Sequence, residues 1–291
     1  ATASSLAAYA ETQAIIAKYE EMQEFTYEEL GSTEAALTTV DPTTGDRIIR
    51  NRETNLGNFV ADAYQVTTGA DIAFANGGGI RANVDKGIVT RKNLMDVNAF
   101  GNTMCVLKVT GQQILDALEW SAHAPLNEEG TGLTENGGFM HTAGLTYEIN
   151  LHVKESPVLT DSQGVYTGID ASKPRRVQNV KVNGKAIDPA AFYTLAGSAY
   201  TLQSGGDGYT MFKGAEVVQE DCGKDQDLLI RYLQNDLKGV ISAAQYGNPY
   251  GQGRIKLIDA ASEEAHRFVE TERVEATGDQ DGYIKYVCSI C

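Results

Sequence analysis

Residues 71–81 read DIAFANGGGIR, an apolar run that breaks into three glycines and closes on an arginine. The unalternated Asp71–Ala75 segment reads as a buried strand. Gly77, Gly78 and Gly79 carry no Cβ, so the backbone there can approach a ligand or another chain segment closely. Working backwards, NLGNFVADAYQVTT at Asn55–Thr68 sets Leu56, Phe59, Val60 and Tyr64 at helical spacing, and Gly69 follows as a stop signal. Working forwards, Thr90 caps a short helix through Val97, and Asn102–Val109 alternates as a strand. Thr110-Gly111 then opens an amphipathic helix with Ile114, Leu115, Leu118 and Trp120 as its core stripe. Further strands are predicted at Leu145–Val153, Val177–Val182 and Tyr193–Gly197, with Asn183-Gly184 as a hairpin turn. A late helix is predicted over Asp225–Leu237.

Strands and helices alternate without a strict repeat, which predicts an α+β fold: mixed β-sheets packed with helices around one core. No long linker divides the chain. Residues 22–258 read as a single domain. Residues 1–21 read as a lead-in helix with one buried face, and residues 259–291 as a charged tail, a surface helix or linker, ending in Cys288-x-x-Cys291.

Composition bounds the function. The 291 residues carry 24 Lys+Arg against 39 Asp+Glu, a net charge of −15, and 42% of them are hydrophobic. A large core is affordable, and an acidic chain does not bind nucleic acid or anionic membranes through a general excess of cations. No apolar run reaches the roughly 18 to 20 residues that span a bilayer. The start at Ala1 lacks a charged and apolar leader, so any targeting peptide is expected to be gone already or to lie outside these 291 residues. Four cysteines, Cys105, Cys222, Cys288 and Cys291, exclude a disulfide-rich scaffold. Cys105 reads as a buried small hydrophobe and Cys222 as surface-adjacent. Cys288 and Cys291 look like half of a rubredoxin-like knuckle, which cannot complete a tetrahedral metal site alone. His123, His141, His152 and His266 lack ligand spacing, so no metal is assigned to this chain.

Four stretches offer chemistry: Arg47–Asn55, Asn76–Arg81, Ala99–Asn102 and Ser204–Tyr209. Singly, each has an ordinary explanation as a salt-bridged face, a turn or a core ring. Together they supply cations, an aromatic platform, amides and a carboxylate on flexible backbone. A nucleoside phosphate needs that set: guanidinium forks for phosphate, a ring face for the base and a carboxylate for the ribose hydroxyls.

In their order, RNRETNLGN, NGGGIR, FGN, GGDGY and YGQGRI resemble the C-terminal, substrate-binding domain of the 5'-nucleotidase family, over most of the chain. The resemblance implies that Arg50 and Arg81 contact phosphate and ribose, with Arg47 as a further arginine. It implies that Asn76 faces the substrate, that Phe100 stacks on the base, that Asn102 touches it, and that Asp207 binds ribose. The family sets a second ring six residues before that aspartate. Here Thr201 holds the position and Tyr200 precedes it, so Tyr200 is the second candidate ring, from a neighbouring position whose face on a strand would be opposite.

Family catalysis is two-metal phosphoester hydrolysis by an N-terminal metallophosphatase domain with DxH, GNHE/D and GHxH motifs, none of which occurs here. The resemblance therefore implies a recognition domain with no catalytic residues and no cofactor of its own. Two divalent ions of the Zn, Mn or Mg type belong to the other domain, and the fragment alone is expected to be inactive. The implied partners are a nucleotide or nucleoside and that metallophosphatase domain, in an extracytoplasmic setting. A stand-alone nucleotide or sugar-phosphate binding module is the other reading.

Overall fold

A computed structural model describes residues 3–259, 268–275 and 282–288. Its organising element is a five-stranded mixed sheet in the order Glu216–Gln219, Met104–Thr110, Phe192–Ser198, Ile72–Asn76, Met140–Ala143. Ile72–Asn76 runs parallel to Phe192–Ser198 and antiparallel to Met140–Ala143. Phe192–Ser198 runs antiparallel to Met104–Thr110 over its full length.

Side chains on a strand alternate between faces, and here both faces are covered. Ala73, Ala75, Met104 and Val106 point into one apolar cluster with the helices Asn55–Thr68 and Asp225–Arg231. Ile72, Phe74, Cys105, Leu107 and Val109 point into a second, with the helix Gly111–Ser121 and the four-stranded sheet that contains Leu145–Asn150 and Val177–Val182. The single core expected from sequence is thus two apolar layers either side of one sheet.

Local chemistry sets the helix ends. Thr54 caps Asn55–Thr68 by accepting from Gly57 N at 3.0 Å, and Gly69 ends it in the left-handed region at φ 71°. Thr90 and Thr110 each form a capping box, with Asn93 and Gln113. Each cap contributes about 1 kcal/mol. Asn183 and Gly184 both have positive φ, 48° and 78°, which joins Val177–Val182 to Lys185–Ala186 by the primed turn that matches strand twist.

Three expectations change. The first helix, Ala3–Thr26, is longer than predicted, and Tyr9, Ile15, Tyr19 and Met22 on it are exposed, so no face of its described side chains is buried. Its Ala-rich pattern is amphipathic only weakly. Beyond residue 259, the described residues form an antiparallel hairpin, Phe268–Val274 with Tyr283–Cys288, in place of a surface helix or linker. Val, Tyr and Thr at alternate places favour that strand over the charged-helix reading. Cys222 is buried, because its N–H bonds Met104 O at 2.9 Å and so draws it beside the sheet. Cys105 is fully buried as expected. His266 and Cys291, and the side chain of Cys288, lie outside the described residues.

Candidate functional site

Topology gathers four loops at one edge of the central sheet. The parallel strands Ile72–Asn76 and Phe192–Ser198 both end there, while their antiparallel neighbours begin there, with Asn76 opposite Met140 and Ser198 opposite Met104. The loops at 77–79, 98–103, 136–139 and 199–208 therefore meet. The edge beyond strand C-termini is where sheets of this kind leave a crevice.

The three glycines are required by space, not by φ. A Cβ on Gly77 would stand 2.1 Å from Ile49 O, one on Gly78 2.9 Å from Gly137 O, and one on Gly79 2.9 Å from Asn76 Oδ1. Gly77 N donates to Phe139 O at 2.7 Å and Gly78 N to Gly137 O at 2.8 Å, while Asn136 N donates to Arg50 O at 3.0 Å. The close approach draws the Arg50 segment and the Asn136–Phe139 loop to the end of the strand.

A cleft of about 610 Å³ opens between these loops, lined by Arg50, Asn76, Gly78, Gly79, Phe100, Asn102, Gly137, Tyr200 and Asp207. Six residues singled out from sequence, Arg50, Asn76, Phe100, Asn102, Tyr200 and Asp207, thus converge on it. Asp207 is the hub. Its Oδ2 accepts from Asn76 Nδ2 at 2.8 Å and its Oδ1 from Tyr200 O–H at 3.2 Å, while its backbone carbonyl accepts from Trp120 Nε1 at 2.8 Å. The residue sits at φ 52°, ψ 20°, a left-handed conformation costing roughly 1 to 2 kcal/mol that the surrounding bonds hold in place. A carboxylate has about four acceptor positions, so two protein donors leave room for further hydroxyls.

Tyr200 reaches the cleft because Ala199–Leu202 is a short helix. A one-residue step there turns a side chain by about 100° rather than to the opposite face. Thr201 turns inward instead and is buried against Ser198. Burial and the Asp207 charge hold the Tyr200 phenol above its usual pKa. Phe100 and Tyr200 are 64% and 49% exposed, large rings left at the mouth of a cleft instead of in the core.

Arg81 and Arg47 stand at the margin. Arg81 lies over the Phe100 ring, 5.8 Å from its centroid, and donates to Gly78 O at 3.2 Å, which ties ring to loop. Arg47 donates to Glu135 Oε2 at 2.8 Å on an exposed face. Burial, then the nearby Arg47 and Arg81 cations, lower the Arg50 pKa, while the Glu135 and Asp207 carboxylates oppose the shift, so three guanidiniums stand near one another with part of their charge offset. Concentrated positive charge on an acidic protein suits an anion.

Sequence reasoning missed the Asn136-Gly137-Gly138 loop. Its Asn-Gly-Gly repeats the pattern at Asn76-Gly77-Gly78, the one signal that could have found it. Conversely, much of the motif chemistry is internal. Glu53 accepts from Gln252 N at 2.7 Å and Ile255 N at 2.9 Å, and Arg254 forks onto Asp62 at 2.6 and 2.8 Å. Asn55 holds Ala36 O and Tyr246 O, each at 2.8 Å. RETN and GQGRI thus lock the helix Asn55–Thr68 to the strand Ile255–Ile258. His141, fully buried, bonds Ile49 O through Nε2 at 2.8 Å, and burial pushes its pKa down to about 4, so it is neutral.

A second cleft, about 460 Å³ and lined by residues such as Leu126, Glu128, Glu129, His152 and Lys154, offers acidic groups and no Phe, Tyr or Trp ring. Among the described residues no three His, Cys, Asp or Glu side chains stand together as a metal-holding set. No helix among them is long and apolar enough to cross a membrane.

A mixed sheet covered on both faces, with its loops gathered into one polar, ring-flanked cleft, defines the class of this domain as α+β. The chain belongs to the 5'-nucleotidase C-terminal domain family, whose model matches residues 33–214. It is 35% identical over 250 residues to the trifunctional nucleotide phosphoesterase protein YfkN of Bacillus subtilis, a match covering 82% of this chain and 14% of that protein. It is 26% identical to protein UshA of Escherichia coli, over 65% of this chain and 29% of the other. The fold is similar to the crystal structure of a 5'-nucleotidase precursor from Thermus thermophilus, at TM-score 0.63 and 26% identity, covering 86% of this chain and 43% of that one. The chain thus spans less than half the length of these relatives and corresponds to their C-terminal domain.

Proposed function

We propose that this domain binds a nucleoside phosphate as the recognition half of a two-domain, metal-dependent phosphohydrolase working outside the cytoplasm. The observation that carries the reading is the convergence of Arg50, Phe100, Tyr200, Asn76 and Asp207 on one cleft. The family assignment and the names of the relatives support it.

In this reading Phe100 and Tyr200 flank the base, whose faces stack on aromatic rings whatever its identity. Asp207, oriented by Asn76 and Tyr200, accepts from the ribose hydroxyls through its free lone pairs. Arg50 takes the phosphate in charge-assisted hydrogen bonds, with Arg47 and Arg81 adding positive potential. Arg81, 5.8 Å from the centroid of the Phe100 ring, also links that ring to Gly78. The hydrolytic step belongs to a metallophosphatase domain, where two divalent ions would polarise the phosphate and activate water. No such set stands among the described residues, and the part of this chain is to hold the substrate across an interdomain cleft that closes over it.

Calorimetric titration with AMP, adenosine and ribose 5-phosphate tests the reading. Heat with AMP whose affinity Phe100→Ala and Asp207→Ala each weaken is expected. No heat with any of the three ligands would refute it. Joining the chain to a metallophosphatase domain of the family should yield metal-dependent phosphate release, whereas a stand-alone binding module would bind AMP and gain no activity from the fusion.

A further inference from the structure

Below the cleft lies a small polar niche, closed off by Tyr64, Asn76, Asn98, Asn102, Ser198 and Asp225. Asp225 is 2% exposed and opens the helix Asp225–Arg231. Its N–H donates to Asn102 O at 2.9 Å, and its Oδ2 accepts from Asn102 Nδ2 at 3.2 Å, so backbone and side chain of Asn102 are both gripped. The other oxygen, Oδ1, accepts from Gln226 N at 2.8 Å. Gln226 in turn donates through Nε2 to Asn98 O at 2.8 Å. Two adjacent residues at one helix start therefore clamp the whole loop that carries Phe100 and Asn102.

The grip on Asn102 has a chemical sense. An amide is ambiguous, since its nitrogen donates and its oxygen accepts, and it can present either end. A carboxylate can only accept, so it takes the nitrogen. No described residue donates to Asn102 Oδ1, and Asn102 also lines the main cleft, so the carbonyl end is the one left for a ligand.

We propose that Asp225 is a positioning residue that fixes the amide of Asn102 with its oxygen toward the cleft, making the site select bases that carry an exocyclic amino group. This rests on the nucleotide reading above and adds a specificity to it. The amino group of adenine or cytosine donates to Asn102 Oδ1. A base without that donor leaves the carbonyl unpaired or opposes it with a second acceptor, and an unmet acceptor in a partly desolvated site weakens binding.

The test compares adenosine with purine riboside, which lacks only the amino group, by calorimetry on the whole chain, with ribose 5-phosphate as a baseless control. Adenosine should bind about tenfold more tightly, the scale of one hydrogen bond to a neutral acceptor. Asp225→Asn, which keeps the volume but lets the amide turn, should bring that ratio close to one and leave the ribose 5-phosphate affinity unchanged. A purely structural role would weaken all three ligands together and keep the ratio. Asn102→Ala, at a half-buried loop residue, should abolish the ratio on its own, so the question is answered even where Asp225→Asn fails to fold. An adenosine to purine riboside ratio near one in the unsubstituted chain, or one that survives either substitution, overturns the assignment while nucleotide binding stands. Absence of binding by every nucleoside and nucleotide overturns both.

Discussion

Gly57→Ala should destabilise the protein, although alanine is the better helix former by about 1 kcal/mol. Gly57 lies in the first turn of the helix Asn55–Thr68, and a Cβ there would stand 2.0 Å from His141 Nδ1 and 2.3 Å from its Cγ. His141 is 0% exposed and has no space to retreat into. Forcing the ring aside costs roughly 1 to 3 kcal/mol as overpacking, and losing its 2.8 Å bond to Ile49 O leaves buried polar groups unpaired at a similar cost. Subtracting the gain in helix propensity leaves a net loss of about 3 kcal/mol. For a domain of this size that lowers Tm by roughly 6 to 12 °C. Urea and thermal unfolding measure both quantities. Adding His141→Ala, which vacates the space, should make the second substitution far less costly than the sum of the two singly. Because Ile49 precedes Arg50, ligand affinity should fall with stability in the single variant. A Gly57→Ala protein as stable as the parent, or more so, would refute the reasoning.

Other outcomes follow from the same geometry. His141 has its pKa lowered from 6.5 to about 4 by burial, so its contribution is full above pH 6.5 and is lost as pH falls toward 4. At about 1.4 kcal/mol per unit that is roughly 3 kcal/mol, and unfolding free energies measured across this range should lose that slope in His141→Gln. Arg50→Ala should weaken AMP by roughly 1.5 to 3 kcal/mol with little change for adenosine, while Phe100→Ala should cost both ligands about 1 to 3 kcal/mol. Equal losses for AMP and adenosine with Arg50→Ala would contradict the role given to it. Gly208→Ala combines φ 85° with a Cβ only 2.3 Å from Trp120 Cζ2, so it should destabilise the fold and displace Asp207. Calorimetry showing unimpaired ligand binding in that variant would count against Asp207 as the hub.

How much of this was legible depends on the range of the signal. Asn55–Thr68 is readable because its apolar spacing and the stop at Gly69 lie within the segment itself. The turn at Asn183-Gly184 and the capped helix Arg91–Val97 are local in the same way. Long-range facts are not. Nothing in NGGGIR says that its glycines make room for Ile49 O and Gly137 O, both distant in sequence. On a strand Tyr200 would face the opposite way from Thr201, and only the short helix after Ser198 turns it to the cleft. The apolar residues of Ala3–Thr26 suggested a buried face, yet burial depends on a partner surface that this helix lacks along most of its described length. The arginines illustrate the limit best. Arg47, Arg50 and Arg254 look alike in sequence, but one pairs with Glu135 at the surface, one lines the cleft and one forks onto buried Asp62.

The most direct measurement is a nuclear magnetic resonance titration of the labelled chain with AMP. Shifts should concentrate at residues 76–81, 100–102, 136–138 and 199–208, the loops that share one sheet edge. Shifts centred instead on the cleft around Leu126, Glu128 and His152, or spread evenly over the surface, would contradict a single nucleotide cradle.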